Sequence, residues 1–147
     1  MRNLELLRAG MVGDGPRAGW AETIGARIAE VELGRVVVEL EASAQHRHEG
    51  GVVQGGVITQ IADAAMGMSL LSRQEEGMAN ITIELKINFM RSVVEGLIRA
   101  TGRVVEMRRT LLFSEADVTD FQGRLVAHAT CTCLAIARPR QAERDAS

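Results

Sequence analysis

Two periods organise the hydrophobic positions along this chain. From about Gln54 to Arg73 the apolar residues lie on nearly every side of a helix, and Asp63 is the only charged residue between Val52 and Ser72. That pattern predicts one long helix wrapped by protein over most of its surface, at the centre of the fold. From 79 to 90 the period drops to two, with Ile81, Ile83, Leu85, Ile87 and Phe89 pointing one way and Thr82, Glu84, Lys86 and Asn88 the other. This alternation predicts a half-buried strand. Three more strands are predicted at about Gly96–Met107, Thr110–Thr119 and Arg124–Ala137, with the last hairpin turning at TDFQG. Upstream, the β-branched runs ARIAEVEL and RVVVELEA flank Gly34 as a hairpin with a tight turn. Residues 2–9 suit a short amphipathic helix, GDGPRAG breaks it, and another helical turn follows near Trp20 to Ile24. The sum is an α+β domain in which a curved antiparallel sheet wraps one long helix. It occupies 1–147 as a single unit, with its core at about 20–137, an N-terminal helix and loop over 1–19, and a polar, frayed tail over 138–147.

Composition narrows the partners. The chain has 147 residues, enough for one domain with a real core and no need of disulfides or metal. Its net charge of −2 offers no basic excess for gripping phosphate backbones, so nucleic acid is not an expected partner. Glu5 and Arg8 interrupt the apolar N-terminal stretch, unlike a signal peptide, and a cytoplasmic location is expected. The 52–72 stretch is long enough to span a bilayer, but Gln54, Thr59, Gln60, Asp63 and Ser69 make that costly, so no membrane span is expected. Cys131 and Cys133 share one strand face, an arrangement that does not favour bonding to each other, and they read as reduced thiols.

The segments HRHEGGVVQGGVITQIADAAMG, ANITIELKINFMRSV and RRTLLFSEADVTDFQGRLVAHATCTCLA resemble the hotdog-fold acyl-CoA thioesterases of the phenylacetyl-CoA and 4-hydroxybenzoyl-CoA type, over roughly residues 20–137. The family pattern runs Asn, Gly, His-Gly-Gly, then Asp or Glu on the helix with a Gly four residues later. Gly50 or Gly51, Gly55-Gly56, Asp63 and Gly67 match it, whereas His48 stands where Asn is usual and Gln54 where His is usual. The resemblance implies thioester hydrolysis, a dimer and often a dimer of dimers. It also implies that Thr82 occupies the position from which relatives orient the attacking water with a Ser or Thr.

Elementary chemistry gives the same residues work. A helix N-terminus offers unpaired N–H groups and a positive dipole end, and Gly55-Gly56 admits a ligand to that backbone without a Cβ in the way. The Gly55 N–H could stabilise the oxyanion formed from a thioester carbonyl, a contact worth about 3 to 4 kcal/mol in other acyl-transfer enzymes. Asp63, poorly hydrated in a largely apolar groove, would serve as nucleophile or general base. Gln54 keeps hydrogen-bonding capacity but cannot titrate, and it or His48 could hold the loop or polarise the carbonyl. Asp63 lies about 13 Å along the same helix from Gln54, so one chain cannot easily bring both to one substrate, and a two-fold dimer with two composite sites follows.

Each residue also has a structural reading. Asp63 could accept local hydrogen bonds or pair with Arg73, and the glycines could serve helix–sheet packing. His46 and His48 form H-x-H, but with only His128 elsewhere and no grouped Cys or acid spacing a metal site is not expected. Arg91, Arg108, Arg109, Arg138 and Arg140 are candidates for coenzyme A phosphates, with Gly56 and Gly67 at the substrate. No metal or redox cofactor is needed, coenzyme A entering only as part of the substrate. One Trp, three Phe and no Tyr tilt the expectation toward a small or medium aliphatic acyl group rather than phenylacetyl. The rival reading is a non-catalytic acyl-CoA-binding module. A hydratase of the same fold would need an Asp and a His about five residues apart in its own segment, and no such pair is present.

Overall fold

The computed structural model describes residues 3–11 and 18–138. Its elements are α1 (Asn3–Ala9), α2 (Gly19–Ile24), β1 (Arg27–Glu32), β2 (Arg35–Ala42), α3 (Gly55–Arg73), β3 (Met78–Phe89), β4 (Gly96–Met107), β5 (Leu111–Thr119) and β6 (Leu125–Ala137). Most of the GDGPRAG break and the tail from 139 onward lie outside the described residues. The strands form one antiparallel sheet in the order β1-β2-β4-β5-β6-β3, with α3 packed on its inner face. This is the helix-wrapping sheet that the hydrophobic pattern predicts, a hotdog fold.

The core lies between α3 and the sheet. Ile58, Ile61, Ala62, Ala65, Met66 and Leu70 of the helix are buried against Val36, Val38 and Leu40 of β2, Ile98 and Ala100 of β4, Leu112, Ala116 and Val118 of β5, and Ala127 and Ala129 of β6. The small residues set how close the layers come. A Cβ on Gly102 would stand 2.2 Å from the Ala65 carbonyl oxygen, so only glycine lets β4 pass the helix backbone there. Polar atoms at the seam are paired: Ser69 Oγ lies 2.9 Å from Ser114 Oγ, and the Ser72 hydroxyl accepts from the Gly34 N–H at 2.8 Å. Gly34 takes the left-handed φ of +80° that turns the β1–β2 hairpin.

The helix is covered over most of its surface, as expected: of its residues only Gly56, Gln60 and Arg73 are exposed, and Asp63, Ala64, Gly67, Met68 and Leu71 form a half-buried stripe. One expectation changes. In β3 the strict alternation breaks, because a bulge between Thr82 and Glu84 inserts one residue into the pairing with β6. Ile81 and Ile83 therefore point outward, 52% and 55% exposed, while Leu85 and Ile87 pack on the core. Thr82, expected on the outer polar face, turns inward opposite Cys133.

The outer face of the sheet carries ion pairs instead of core. Glu39 receives Arg27 at 2.7 Å and Arg99 at 3.0 Å, and Arg35 and Arg99 both reach Glu30. Those two guanidinium groups hold the Glu30 carboxyl below the usual range. Asp117 accepts from Arg103 and from His128 Nδ1, each at 2.8 Å. Burial opposes the charge on Asp117, but the bonds from His128 and Arg103 outweigh it and keep its carboxyl below the ordinary aspartate range.

Candidate active site

The predicted residues fall into two groups. The first gathers at the N-terminus of α3. Gln54 is the N-cap residue in an extended conformation, and its side chain makes no capping bond. Its backbone N–H is held by the His46 carbonyl at 2.9 Å, and the Val53 N–H by Val93 at 2.8 Å, so the entry to the helix is pinned from two loops. The Gly55 and Gly56 N–H groups donate to no acceptor among the described residues, as the first turn of a helix dictates. Phe89, at the far end of β3, packs over Gly55: a Cβ there would lie 3.2 Å from its ring. His48 stands just upstream, its Nδ1 accepting from the Gly50 N–H at 2.8 Å. His46 is spent on structure, with Nδ1 accepting from the Ser43 N–H and Nε2 donating to the Ile24 carbonyl at 2.7 Å.

The second group surrounds Asp63. The inward turn of Thr82 lets its hydroxyl donate to Asp63 Oδ1 at 2.8 Å. No ion pair reaches Asp63 among the described residues, and Arg73 lies instead against Gly34 at the other end of the helix. Behind Thr82, Cys133 Sγ approaches its hydroxyl at 3.6 Å, and Cys131 Sγ lies 3.8 Å from Cys133 Sγ. Both cysteines are free and buried. The bond to Cys133 and burial push the Cys131 thiol above the ordinary thiol range, which makes it a poor nucleophile.

Asp63 and Thr82 open into a cavity of about 620 Å³, whose wall continues through Gly67, Met68, Leu71, Trp20 and Asn80. Of the substrate-binding candidates, Gly67 lines this cavity, and so does Arg138, whose guanidinium also donates to Asn3 Oδ1 at 3.0 Å. Gly56 belongs to the helix N-terminus. Arg91, Arg108 and Arg109 do not line the cavity. Arg91 follows β3 near the Gly55 end, while Arg108 and Arg109 occupy the β4–β5 turn, where Arg108 faces Glu106 at 3.5 Å. Arg140 lies outside the described residues. Trp20, Gln60 and Asn80 were not anticipated in the wall. The aromatic count pointed away from a flat apolar wall, yet the one tryptophan of the chain stands in it. Only tertiary contact brings α2 there.

No helix among the described residues is long and apolar enough to cross a membrane, and none of their His, Cys, Asp and Glu side chains groups as a metal site.

The six-stranded sheet curved around one long helix defines a protein of the hotdog class, and that helix sets one carboxylate beside a partly apolar cavity with free N–H groups at its start. The family model of the thioesterase superfamily matches residues 50–127, more than half of the chain, and the protein belongs to that family. It is 28% identical over 123 residues to a 1,4-dihydroxy-2-naphthoyl-CoA hydrolase of Listeria monocytogenes, covering 84% of this chain and 99% of that one. A thioesterase family protein from Silicibacter pomeroyi superposes with a TM-score of 0.83 at 27% identity, covering 92% and 99% of the two chains. The Escherichia coli PaaI protein from the phenylacetic acid degradation operon shares the fold, with a TM-score of 0.80 at 20% identity over 92% and 94%.

Proposed function

We propose that the protein hydrolyses acyl-CoA thioesters, with small or medium acyl groups, in composite sites shared by two subunits. The observation that carries this reading is the separation of the two groups. Asp63, held by Thr82, faces the cavity, while the unpaired Gly55 N–H lies about 12 Å away along the same helix at 1.5 Å per residue. The exposed β3 edge supports a way to join them. Among the described residues β3 pairs only with β6, and its other edge offers free N–H and C=O groups. Antiparallel pairing of two β3 edges about a two-fold axis near the middle of the strand lays the Thr82 end of one beside the Phe89 end of the other. Phe89 packs on Gly55, so Asp63 would face the partner's Gly55.

In that site the thioester carbonyl oxygen accepts from the partner's Gly55 N–H. Asp63 takes a proton from water, the hydroxide adds to the carbonyl carbon, and the C–S bond breaks as coenzyme A leaves with a proton. Thr82 keeps one carboxylate oxygen engaged and leaves the other for water. His48 and Gln54 flank the carbonyl from the helix N-terminus. The test is thiol release from a panel of acyl-CoAs by wild type and Asp63→Asn. The expected result is turnover that falls by about 10²- to 10⁴-fold in the variant with assembly unchanged. Binding without turnover by the wild type on every ester would identify an acyl-CoA-binding module instead.

A further inference from the structure

The cavity beside Asp63 carries a second charge at its other end. Of the described residues in its wall only Asp63 and Arg138 are charged; Gln60, Asn80 and Thr82 are polar and neutral. Arg138 follows β6, and its backbone N–H donates to the Gly77 carbonyl at 2.7 Å, which fixes it beside the turn from α3 into β3. Among the described residues its guanidinium enters no ion pair and makes one hydrogen bond, to Asn3 Oδ1 at 3.0 Å. Glu76, in the same turn, is close enough to feel that charge but does not pair with it.

Asn3 is built to aim this arginine. It is 1% exposed, and its Nδ2 donates to the carbonyls of Gln74, Glu75 and Met78 at 3.3, 2.9 and 3.3 Å. Backbone carbonyls only accept, so they hold the amide in one orientation and turn Oδ1 to Arg138. Elsewhere on this chain arginines are held by carboxylates that also cancel their charge: Glu39 and Glu30 on the outer sheet, Asp117 for Arg103 and Asp120 for Arg124. At Arg138 a neutral oxygen does the holding, and the charge and most of the N–H donors are left for another group.

The span between the two charges sets the size of that group. Along α3, Asp63 and Gln74 stand about 16 Å apart at 1.5 Å per residue, and Thr82 and Gly77 are separated by a similar distance at about 3.3 Å per residue of strand. A contact of about 3 to 4 Å at each end leaves about 8 to 10 Å, the length of an extended chain of about eight or nine carbons. Gly67, Met68, Leu71 and Trp20 line the way and suit methylene groups. We propose that Arg138 is a specificity-determining residue that binds the far carboxylate of a dicarboxylic acyl group of about this length. The proposal rests on the reading that this cavity holds the acyl group of a thioester. A neutral acyl chain of equal length leaves the guanidinium desolvated and unpaired, and a short diacid cannot reach it and sets its carboxylate near Asp63 instead.

The experiment compares suberyl-CoA with its methyl ester and with octanoyl-CoA, and succinyl-CoA with butyryl-CoA, as substrates of wild type, Arg138→Met and Arg138→Lys. For wild type, kcat/KM should favour suberyl over octanoyl and over the methyl ester by about 10- to 100-fold, with succinyl no better than butyryl. Arg138→Met should remove the preference for suberyl, and Arg138→Lys, which keeps the charge without the planar fork, should retain part of it. Titration of Trp20 fluorescence with the same esters and with free coenzyme A reads binding independently of turnover. Equal treatment of suberyl and octanoyl esters by the wild type, or a preference that survives in Arg138→Met, overturns the proposal while leaving hydrolysis intact. So does a loss in Arg138→Met that is equal for every ester and for free coenzyme A, which would assign the guanidinium to a phosphate of the carrier. Carboxylate-selective binding without hydrolysis would keep the role of Arg138 and overturn the proposed reaction.

Discussion

Thr82 ties the candidate base to the sheet, and its contribution can be separated from bulk packing. Its hydroxyl donates to Asp63 Oδ1 and touches Cys133, so Thr82→Val keeps the shape and deletes the donor. We expect kcat to fall about 10- to 100-fold with KM little changed, and Thr82→Ser to restore most of it, as the loss of one charge-assisted hydrogen bond requires. A Val variant with wild-type kcat would remove Thr82 from the machinery. Asp63 was legible in the sequence because a single charge in a long neutral run has few structural uses. Gly55 was legible because two glycines open the helix. The place of Asn80 in the cavity wall was not, since the partners that hold its amide, the Gly67 carbonyl and Gln74 Oε1, reach it only in the folded chain.

At the scale of elements, one irregularity in β3 assembles the site. Strict alternation cannot send both Thr82 and Leu85 to the helix, and the bulge does so by making Ile83 supernumerary. Deleting Ile83 leaves Thr82, Glu84 and Leu85 as an in-out-in series, so this variant should fold with a cooperative melt near that of the wild type. Deleting Lys86 instead turns Ile87 outward and Phe89 away from Gly55. Exposing one such side chain costs about 1.5 to 3 kcal/mol, and the midpoint should fall by at least about 5 °C, or the variant should fail to stay soluble. Similar melting of the two deletions would show that the bulge does not set the facing. The elements themselves were readable to within a residue or two, because their periods are long and their turns carry Gly, Pro or Asp. The bulge was hidden because Ile81 and Ile83 continue an apolar alternation that burial does not reward.

At the scale of the whole molecule, two faces remain to be accounted for, the charged outer sheet and the open edge of β3. On the outer face the carboxyl of Asp117 titrates below its unfolded value near 3.9, so its contribution to stability is complete above that pH and is lost as the pH falls through the lower folded value. Thermal midpoints measured from pH 5 to pH 3 should therefore decline, and less steeply for Asp117→Asn; an equal or steeper decline would place the acid sensitivity elsewhere. The open edge bears on whether catalysis needs two chains. Gly55 is the first residue of α3, where proline is tolerated, and Gln54 already has the extended conformation that proline demands of its predecessor. Gly55→Pro thus removes one N–H while the helix stays formed, and kcat should fall by about 10²- to 10³-fold. Gly55→Ala, which meets the same Phe89 ring but keeps the N–H, controls for crowding. If sites are composite, an equimolar, re-equilibrated mixture of Gly55→Pro and Asp63→Asn chains contains hybrids in which one of the two sites has both intact contributors. Random pairing makes about half of the dimers hybrid, so the mixture should recover about a quarter of wild-type activity from two nearly inactive parents. A mixture no more active than its parents, with exchange of chains demonstrated, would confine both groups to one subunit and remove the need for the dimer.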